Sequence, residues 1–442
     1  MKISIKKGLD LPLAGAYEGD PKTVADVAVE TVAIIPDDFP GFIPKVDVKP
    51  GDVVEAGDAL MHHKNSTGVK LVSPVSGVVD AVERGERRKV LSVKVKADGR
   101  ELNKKFDTKA SEDAEGIVAL LSESGLLAMM RRRPYDIVPD PAVLPRDIFV
   151  TAFDSAPLAV NAPAGDKAVY EAAVAWLAKV TTGKVYISRR EGQNFPDVSG
   201  AVTVDVKGPH PAGLVGVQIA NIKPVNKGET VWTLNADTLY KIGTIATTGS
   251  VDWHTRVAVV GSSVQKPYVA RTVCGAAVEP LLKGHVDGKE HLRIIAGNVL
   301  TGVKIAADGY LHYPYSQITV IPEGDDVDQF MGWASLSPKM MSVSPSYPGS
   351  WFKRLFAPDA RVKGGRRAMI MSGIYDKYLP MDIMAEYLLK AIEARNIDSM
   401  EKLGIYEVAP EDFALAEYAD SSKLPLQHIV REGLDYLRAE TE

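Results

Sequence analysis

The chain has 442 residues, 45% of them apolar and 25% charged, with a formal charge of −5. That apolar share excludes wholesale disorder, and at about 150 residues per domain the length implies roughly three domains. A net-acidic chain offers no global field for nucleic acid. Its single cysteine excludes an internal disulfide, a four-thiolate zinc site and an iron–sulfur cluster held by this chain's own thiolates.

No stretch reaches 18 consecutive apolar residues, so none is expected to span a bilayer. Met1 to Lys7 lead into a Gly/Pro/Asp-rich segment without the apolar core of a signal peptide. A soluble cytoplasmic protein is expected, with at most a peripheral membrane role.

Residues 31–97 alternate valines such as Val46, Val54, Val69, Val79, Val93 and Val95 with Gly, Pro, Asp and Lys, which predicts a small all-β unit. In Lys49-Pro50-Gly51-Asp52 and Ser73-Pro74-Val75-Ser76-Gly77, Pro starts the bend and Gly supplies a conformation that a Cβ opposes. The run Gly51-Asp52, Gly57-Asp58, Leu60, then Ser73-Pro74-Val75-Ser76-Gly77-Val78, resembles the biotinyl/lipoyl domain. The resemblance places the modified lysine at Thr67, with Lys64 offset by three residues. The unit is therefore read as a carrier fold without its prosthetic group.

Ile117, Leu120, Leu121, Leu127 and Met130 predict a helix over 112–131, weakened at Gly125. Arg131-Arg132-Arg133-Pro134 is expected to end it, the cations capping a solvated face. Between 147 and 250, the strand Ile148–Ala152, the helix 167–180 and the strands Lys184–Ser188 and Ala201–Val206 predict an α/β layer with parallel pairing. Strands return at Arg256–Val260, Leu292–Ala296 and Gln317–Ile321, with a helix-prone piece at Ala276–Leu282. Residues 333–367 lack periodicity, and a loop of that length in a compact domain is either mobile or functional. From Asp376 onward helices are expected at 380–395, 398–404, 410–418 and 426–440.

Neither Gly-x-Gly-x-x-Gly nor Gly-x-x-x-x-Gly-Lys-Ser/Thr occurs, so neither phosphate cradle is present. Gly208-Pro209-His210-Pro211-Ala212-Gly213 reads as a rigid bend presenting His210, whose prolines remove backbone donors. His210 is expected to be a structural hydrogen-bonding residue. His62 and His63 are adjacent, so on a strand they point to opposite faces and cannot share a metal. Cys274 lies in Val273-Cys274-Gly275-Ala276 and reads as a buried, inert thiol. There is no Gly-x-Ser-x-Gly elbow, and no complete catalytic constellation emerges.

Several motifs recur in a familiar order. They are Ile5-Lys6-Lys7-Gly8-Leu9-Asp10-Leu11-Pro12-Leu13-Ala14-Gly15, Ser73–Val79 with Arg84–Arg88, Glu123-Ser124-Gly125-Leu126 with Arg131–Pro134, and Gly208–Gly213. Arg271-Thr272 before Gly275-Ala276, Gly297-Asn298-Val299-Leu300-Thr301-Gly302 and Pro380-Met381-Asp382-Ile383 complete the series. Over nearly the whole chain they resemble the A subunit of the sodium-translocating NADH:quinone oxidoreductase.

The resemblance implies an α/β and α+β multidomain architecture, similar to the flavin subunit of complex I and the C subunit of the Rnf complex. An N-terminal segment with a biotinyl/lipoyl-like barrel-sandwich unit is expected over 1–105, a Rossmann-like domain over 106–252 and a β-grasp-like domain over 253–330. An irregular segment (331–375) and a C-terminal helical domain (376–442) follow, which raises the expected number of modules to four. Related chains hold iron–sulfur clusters through cysteines near the C-terminus. Leu415–Lys423 and Leu424-Pro425-Leu426 contain none. The chain is therefore expected to bind no cofactor, with NADH, flavins, iron–sulfur and quinone handled through other subunits.

The same resemblance implies a peripheral subunit of a six-subunit complex on the cytoplasmic face of the bacterial inner membrane, inactive in isolation. Its expected role is structural or quinone-contacting. His210, Trp232, Tyr240 and Trp253 are the quinone candidates, because a quinone needs an apolar slot with a few polar groups. Trp351, Phe352, Arg354 and Phe356 mix aromatics with cations and are the candidates for docking to the membrane sector. Two other readings are a free-standing carrier modified at Lys64 and an independent NADH or flavin oxidoreductase. Intact mass and an absorption spectrum separate them from the first.

Overall fold

The computed structural model describes the whole chain except residues 111, 288–290, 326–336, 344–346 and 353. The expected β unit is present as two sheets. One orders Thr31–Ile34, Val90–Ala97, Gly77–Arg84 and Val53–Val54, and the other Pro44–Val46, Ala59–His63 and Ser66–Val72. Val79, Val93, Val95, Leu60, Met61 and Leu71 are buried in its core. Gly77 is required where the strands cross, because a Cβ there would lie 2.0 Å from the Lys96 carbonyl oxygen. The hairpin tip differs from expectation. The two-residue turn is Lys64-Asn65, with His63 opposite Ser66, so Thr67 lies within a strand and Lys64 is exposed at the tip.

A second unit is built on a six-stranded sheet ordered Lys2–Ser4, Ala201–Lys207, Val185–Arg190, Asp147–Thr151, Val231–Asn235, Arg131–Arg133. The first five strands are parallel and the last is antiparallel. The helix Lys167–Val180 has the expected bounds, and Asp166 caps it by accepting from the Ala168 N–H at 2.9 Å. It packs beside Ala236–Thr248 closely enough that a Cβ on Gly243 would meet the Val169 carbonyl oxygen at 2.0 Å.

Two expectations fail at the entrance to this unit. The helix runs only over Ala114–Glu123, because Gly125 turns the chain at φ +79° instead of weakening a longer helix. Arg131–Arg133 is a strand, and the side chains of Arg132 and Arg133 are buried rather than solvated. Their compensating carboxylates arrive from the far end of the chain, as described below.

A third sheet orders Val303–Ile305, Leu292–Ala296, Gln317–Pro322, His254–Val260, Tyr268–Val273 and Ala25–Asp26. Val257, Val259, Ile294, Ile318, Val320 and Leu281 form its own core, with the short helix Glu279–Leu282 beside it. The N-terminal segment within 1–105 pairs outside the β unit. Lys2–Ser4 joins the second sheet and Ala25–Asp26 the third, both by parallel pairing.

The C-terminal helices Ala385–Glu393, Ile397–Lys402, Ala414–Ala419 and Leu426–Thr441 follow the apolar periodicity. Leu388, Phe413, Val430 and Leu434 share a core with Val204, Val206 and Ile5 of the second sheet. In the cysteine-free stretch, Asp420 accepts from the Ser422 and Leu424 N–H groups at 3.1 and 2.9 Å, closing the turn before the last helix.

Of the aperiodic segment, residues 333–336, 344–346 and Lys353 lie outside the described residues. Of the docking candidates, Trp351, Phe352 and Arg354 are exposed. Phe356 is not. It is buried, and its backbone bridges to Leu13, donating to the Pro12 carbonyl and accepting from the Ala14 N–H, each at 2.8 Å.

Candidate functional site

The β unit, the second unit and the third sheet meet around a cavity of about 40 Å³ lined by Phe39, Leu71, Met129, Trp253, Cys274, Leu311 and Tyr313, with Asp38 at its edge. Local turns set several of the lining residues, while Leu71 comes from the strand Ser66–Val72. Pro36–Asp38 forms one turn of 3₁₀-helix, closed by the Phe39 N–H donating to the Pro36 carbonyl at 3.0 Å, and this fixes Asp38 and Phe39. Met129 follows the bend at Gly125. Cys274 follows the strand Tyr268–Val273, where Gly275 (φ +71°) lets the backbone pass 2.9 Å from Ala33, its carbonyl accepting the Ala33 N–H.

Tyr313 organises one wall. Its ring stacks on Phe39 with centroids 5.3 Å apart and planes 3° off parallel, and the Arg131 guanidinium lies 5.6 Å from its centroid. Its hydroxyl donates to the Met129 carbonyl and lies 3.3 Å from the Thr238 hydroxyl. Asp38 ties the wall to the β unit. Its carboxylate is 2.6 Å from His312 Nδ1 and accepts the Tyr313 N–H at 2.9 Å, while its backbone carbonyl accepts from Arg131 Nη2 at 2.7 Å.

Burial sets the protonation. It pushes the Tyr313 hydroxyl up to about 12 and the Cys274 thiol up to about 11, so both are neutral near pH 7. It also pushes the Asp38 carboxyl up, against the pull of His312. Behind the cavity, burial works against the charge of Lys241. Asp237, at 2.8 Å, and the neighbouring Cys274 and Asp252 together overcome it and hold the ammonium well above its usual range, and the His254 carbonyl accepts a second bond at 2.8 Å. The lining is therefore mostly apolar and aromatic, with the Tyr313 hydroxyl spent on the Met129 carbonyl and Asp38 on His312 and the Tyr313 N–H. That suits an uncharged planar ring better than a phosphate-bearing ligand.

Of the four residues expected from the sequence, only Trp253 lines this cavity. Trp232 is fully buried on the strand Val231–Asn235 opposite Arg132. Tyr240 packs edge-on against Tyr170, centroids 5.3 Å apart. His210 is buried where the strand Ala201–Lys207 leads to the helix Val215–Ile222, its Nδ1 3.1 Å from the Ser155 hydroxyl. The residues not expected were Asp38, Phe39, Met129, His312 and Tyr313. The aromatic run His312-Tyr313-Pro314-Tyr315 was the available signal. His62 and His63 bond separately, to Asp47 Oδ1 at 2.6 Å and the Gly41 carbonyl at 3.0 Å, and no group of three potential metal ligands occurs among the described residues.

A second buried cluster joins the second unit to the C-terminal helices. Arg133 meets Asp136, Glu411 and Asp412 at 3.6, 3.2 and 3.3 Å, and Arg132 holds both carboxylate oxygens of Glu442 at 2.8 and 2.9 Å. These pairs explain why the arginines can leave solvent.

Comparison with known proteins matches three segments in chain order. Residues 3–98 match the NqrA N-terminal barrel-sandwich hybrid domain, 112–251 the NqrA second alpha/beta domain, and 256–307 the NQRA C-terminal domain. Among whole proteins, the chain is 36% identical to the A subunit of the Na(+)-translocating NADH-quinone reductase of Serratia proteamaculans, and 34% to those of Pasteurella multocida and Neisseria meningitidis. Each comparison covers 99% of this chain and 100% of the relative. Among solved structures, an NAD+-reducing NiFe hydrogenase superposes at a TM-score of 0.32 and 12% identity, over 48% of this chain and 47% of that one. That likeness is too slight to bear on function.

Proposed function

The chain belongs to the NqrA family, the A subunits of the Na+-translocating NADH-quinone reductase, and we propose that within that assembly it supplies a quinone-contacting cavity at the junction of its three N-terminal units. The observation that carries this reading is the pairing of Phe39 with Tyr313 opposite Trp253 and Met129, around neutral hydroxyl and thiol groups. The outer face of such a pair can stack on a planar head; the Tyr313 hydroxyl proton is taken by the Met129 carbonyl, so the rings and not hydroxyl donors would hold the head. At about 40 Å³ the cavity is smaller than a quinone head, so in this reading its lining must rearrange to admit one. In this reading Trp253 touches the ring, while Trp232 and Tyr240 pack in the core beside it and His210 takes no part.

The finer architectural reading belongs here too. The parallel order of the second sheet supports a Rossmann-like label, and the third sheet with its short helix supports a β-grasp label. Kinship with the flavin subunit of complex I and with the C subunit of the Rnf complex is part of the same reading. We further read the chain as one of six subunits, seated peripherally on the cytoplasmic face of the membrane, with the redox centres on its partners. Among the described residues no helix is long and apolar enough to cross a membrane, which accords with a peripheral seat.

The test is photolabelling of the assembled, active complex with an azido-quinone, followed by peptide mapping. Label is expected on the segments carrying Ile34–Phe39, Met129 and Tyr313. Label confined to other subunits, or to segments of this chain remote from the cavity, overturns the reading.

A further inference from the structure

The ribbon from Trp351 to Met371 is used by neither the cavity nor the buried ion cluster. Backbone hydrogen bonds pin it at three places. Phe356 is held between Pro12 and Ala14, the Ala360 N–H donates to the Pro322 carbonyl at 3.1 Å, and the Arg367 N–H donates to the Ser422 carbonyl at 2.8 Å. Between and beside these pins many of its side chains face outward. Trp351, Phe352 and Leu355 are 69%, 60% and 59% exposed, and no Phe, Tyr or Trp ring among the described residues is more exposed than the first two. Val362 and Ile370 are exposed too, as are Arg354, Arg366 and Arg367.

The charge of the ribbon opposes that of the chain. Lys353, Arg354, Arg361, Lys363, Arg366 and Arg367 stand against Asp359 alone, a local balance of +5 in a chain whose total is −5. Asp359 is already engaged by Arg361 and Lys363. Exposed Trp and Phe beside cations are the chemistry of a bilayer interface: aromatic bodies sit at headgroup depth, while guanidinium groups meet acidic phosphates. An unfilled internal seam would not concentrate like charge in this way.

We propose that this ribbon is a lipid-contact surface. Trp351, Phe352 and Leu355 enter the interface of an anionic bilayer, and Arg354, Arg366 and Arg367 bind its acidic headgroups. The proposal deepens the peripheral seat argued above and rests on it for location only.

The test uses the purified full chain with vesicles of phosphatidylcholine alone or with about 30% phosphatidylglycerol. Sedimentation with the anionic vesicles is expected, falling at least tenfold in 0.5 M salt and at least tenfold in W351S/F352S/L355S. A blue shift of tryptophan emission on binding is expected to vanish in Trp351→Phe. No sedimentation with anionic vesicles, or sedimentation unchanged in the triple variant, overturns the proposal. A detergent-solubilised assembly tests the seat itself. A triple variant that co-purifies normally yet loses vesicle binding supports the lipid surface. A triple variant that fails to co-purify, from a wild-type chain that ignores vesicles, overturns the lipid surface, assigns the ribbon to a protein partner and leaves the peripheral seat standing.

Discussion

The imidazole of His210 is held neutral by its surroundings. The Ser155 oxygen accepts the Gly213 N–H at 2.8 Å, so its own proton is free to point at His210 Nδ1. Nε2 then carries the ring hydrogen and has no partner among the described residues. Burial drives the ring down to about 4, opposed only in part by Asp10. A histidine depressed in the folded state keeps its contribution above the unfolded value near 6.5. It loses that contribution as pH falls toward 4, because the unfolded chain takes up the proton first. The span corresponds to at most about 3 kcal/mol. His210→Asn should therefore flatten the stability profile between pH 6.5 and 4, measured by urea unfolding at fixed pH. An unchanged slope would assign the acid sensitivity to another group. The rigid Gly-Pro-His-Pro bend was readable in the sequence, but its partners were not. Ser155 lies 55 residues away and Asp10, which accepts the His210 backbone N–H at 2.8 Å, lies 200 residues away.

At the scale of elements, local periodicity carried most of the assignment. Lys167–Val180 shows its buried face at helical spacing with a cap directly before it, so both bounds were legible. Arg131–Arg133 shows the opposite case. Three cations and a proline fit a helix end as well as they fit a strand, and no local feature separates the two. Only the arrival of Glu411, Asp412 and Glu442 makes burial of Arg132 and Arg133 tolerable. Arg133→Met would leave Asp136 and Asp412 facing Glu411 without a cation. The expected cost is about 3–5 kcal/mol, since removing one partner of a buried ion pair leaves the others uncompensated. Burial and the neighbouring carboxylates push the Asp412 carboxyl up. In the variant that push strengthens, so the defect should be largest near pH 8 and shrink toward pH 4 as the carboxyls take up protons. Limited proteolysis at the two pH values, scored by release of the C-terminal helices, reads this directly. Equal release at both would show that the cluster does not hold the helices in place.

Across the whole molecule, the N-terminal residues lace units that composition alone would separate, and the cavity exists only because they meet. Its lining comes from 33–39, 71–74, 125–129, 253, 274–275 and 311–313, so no window of sequence contains it. That is why Trp253 was legible as an aromatic near a conspicuous bend while Phe39 and Tyr313 were not. The single cysteine, first a limit on disulfides and clusters, proves to be one wall of this junction. Asp38 is the side chain that couples the units, since its one carboxylate serves both His312 and the Tyr313 backbone. Asp38→Ala strands two donors in a buried setting, at a cost of about 1–3 kcal/mol. It also frees Tyr313 to slide off Phe39. Thermal stability and azido-quinone labelling of this chain should therefore fall together in Asp38→Ala. Asp38→Asn keeps an acceptor for the Tyr313 N–H and should retain most of both. If Asp38→Ala unfolds earlier yet labels like the wild type at a temperature where it is folded, the ring does not lie against the Phe39–Tyr313 pair. The junction is then a structural seam and not a ligand site.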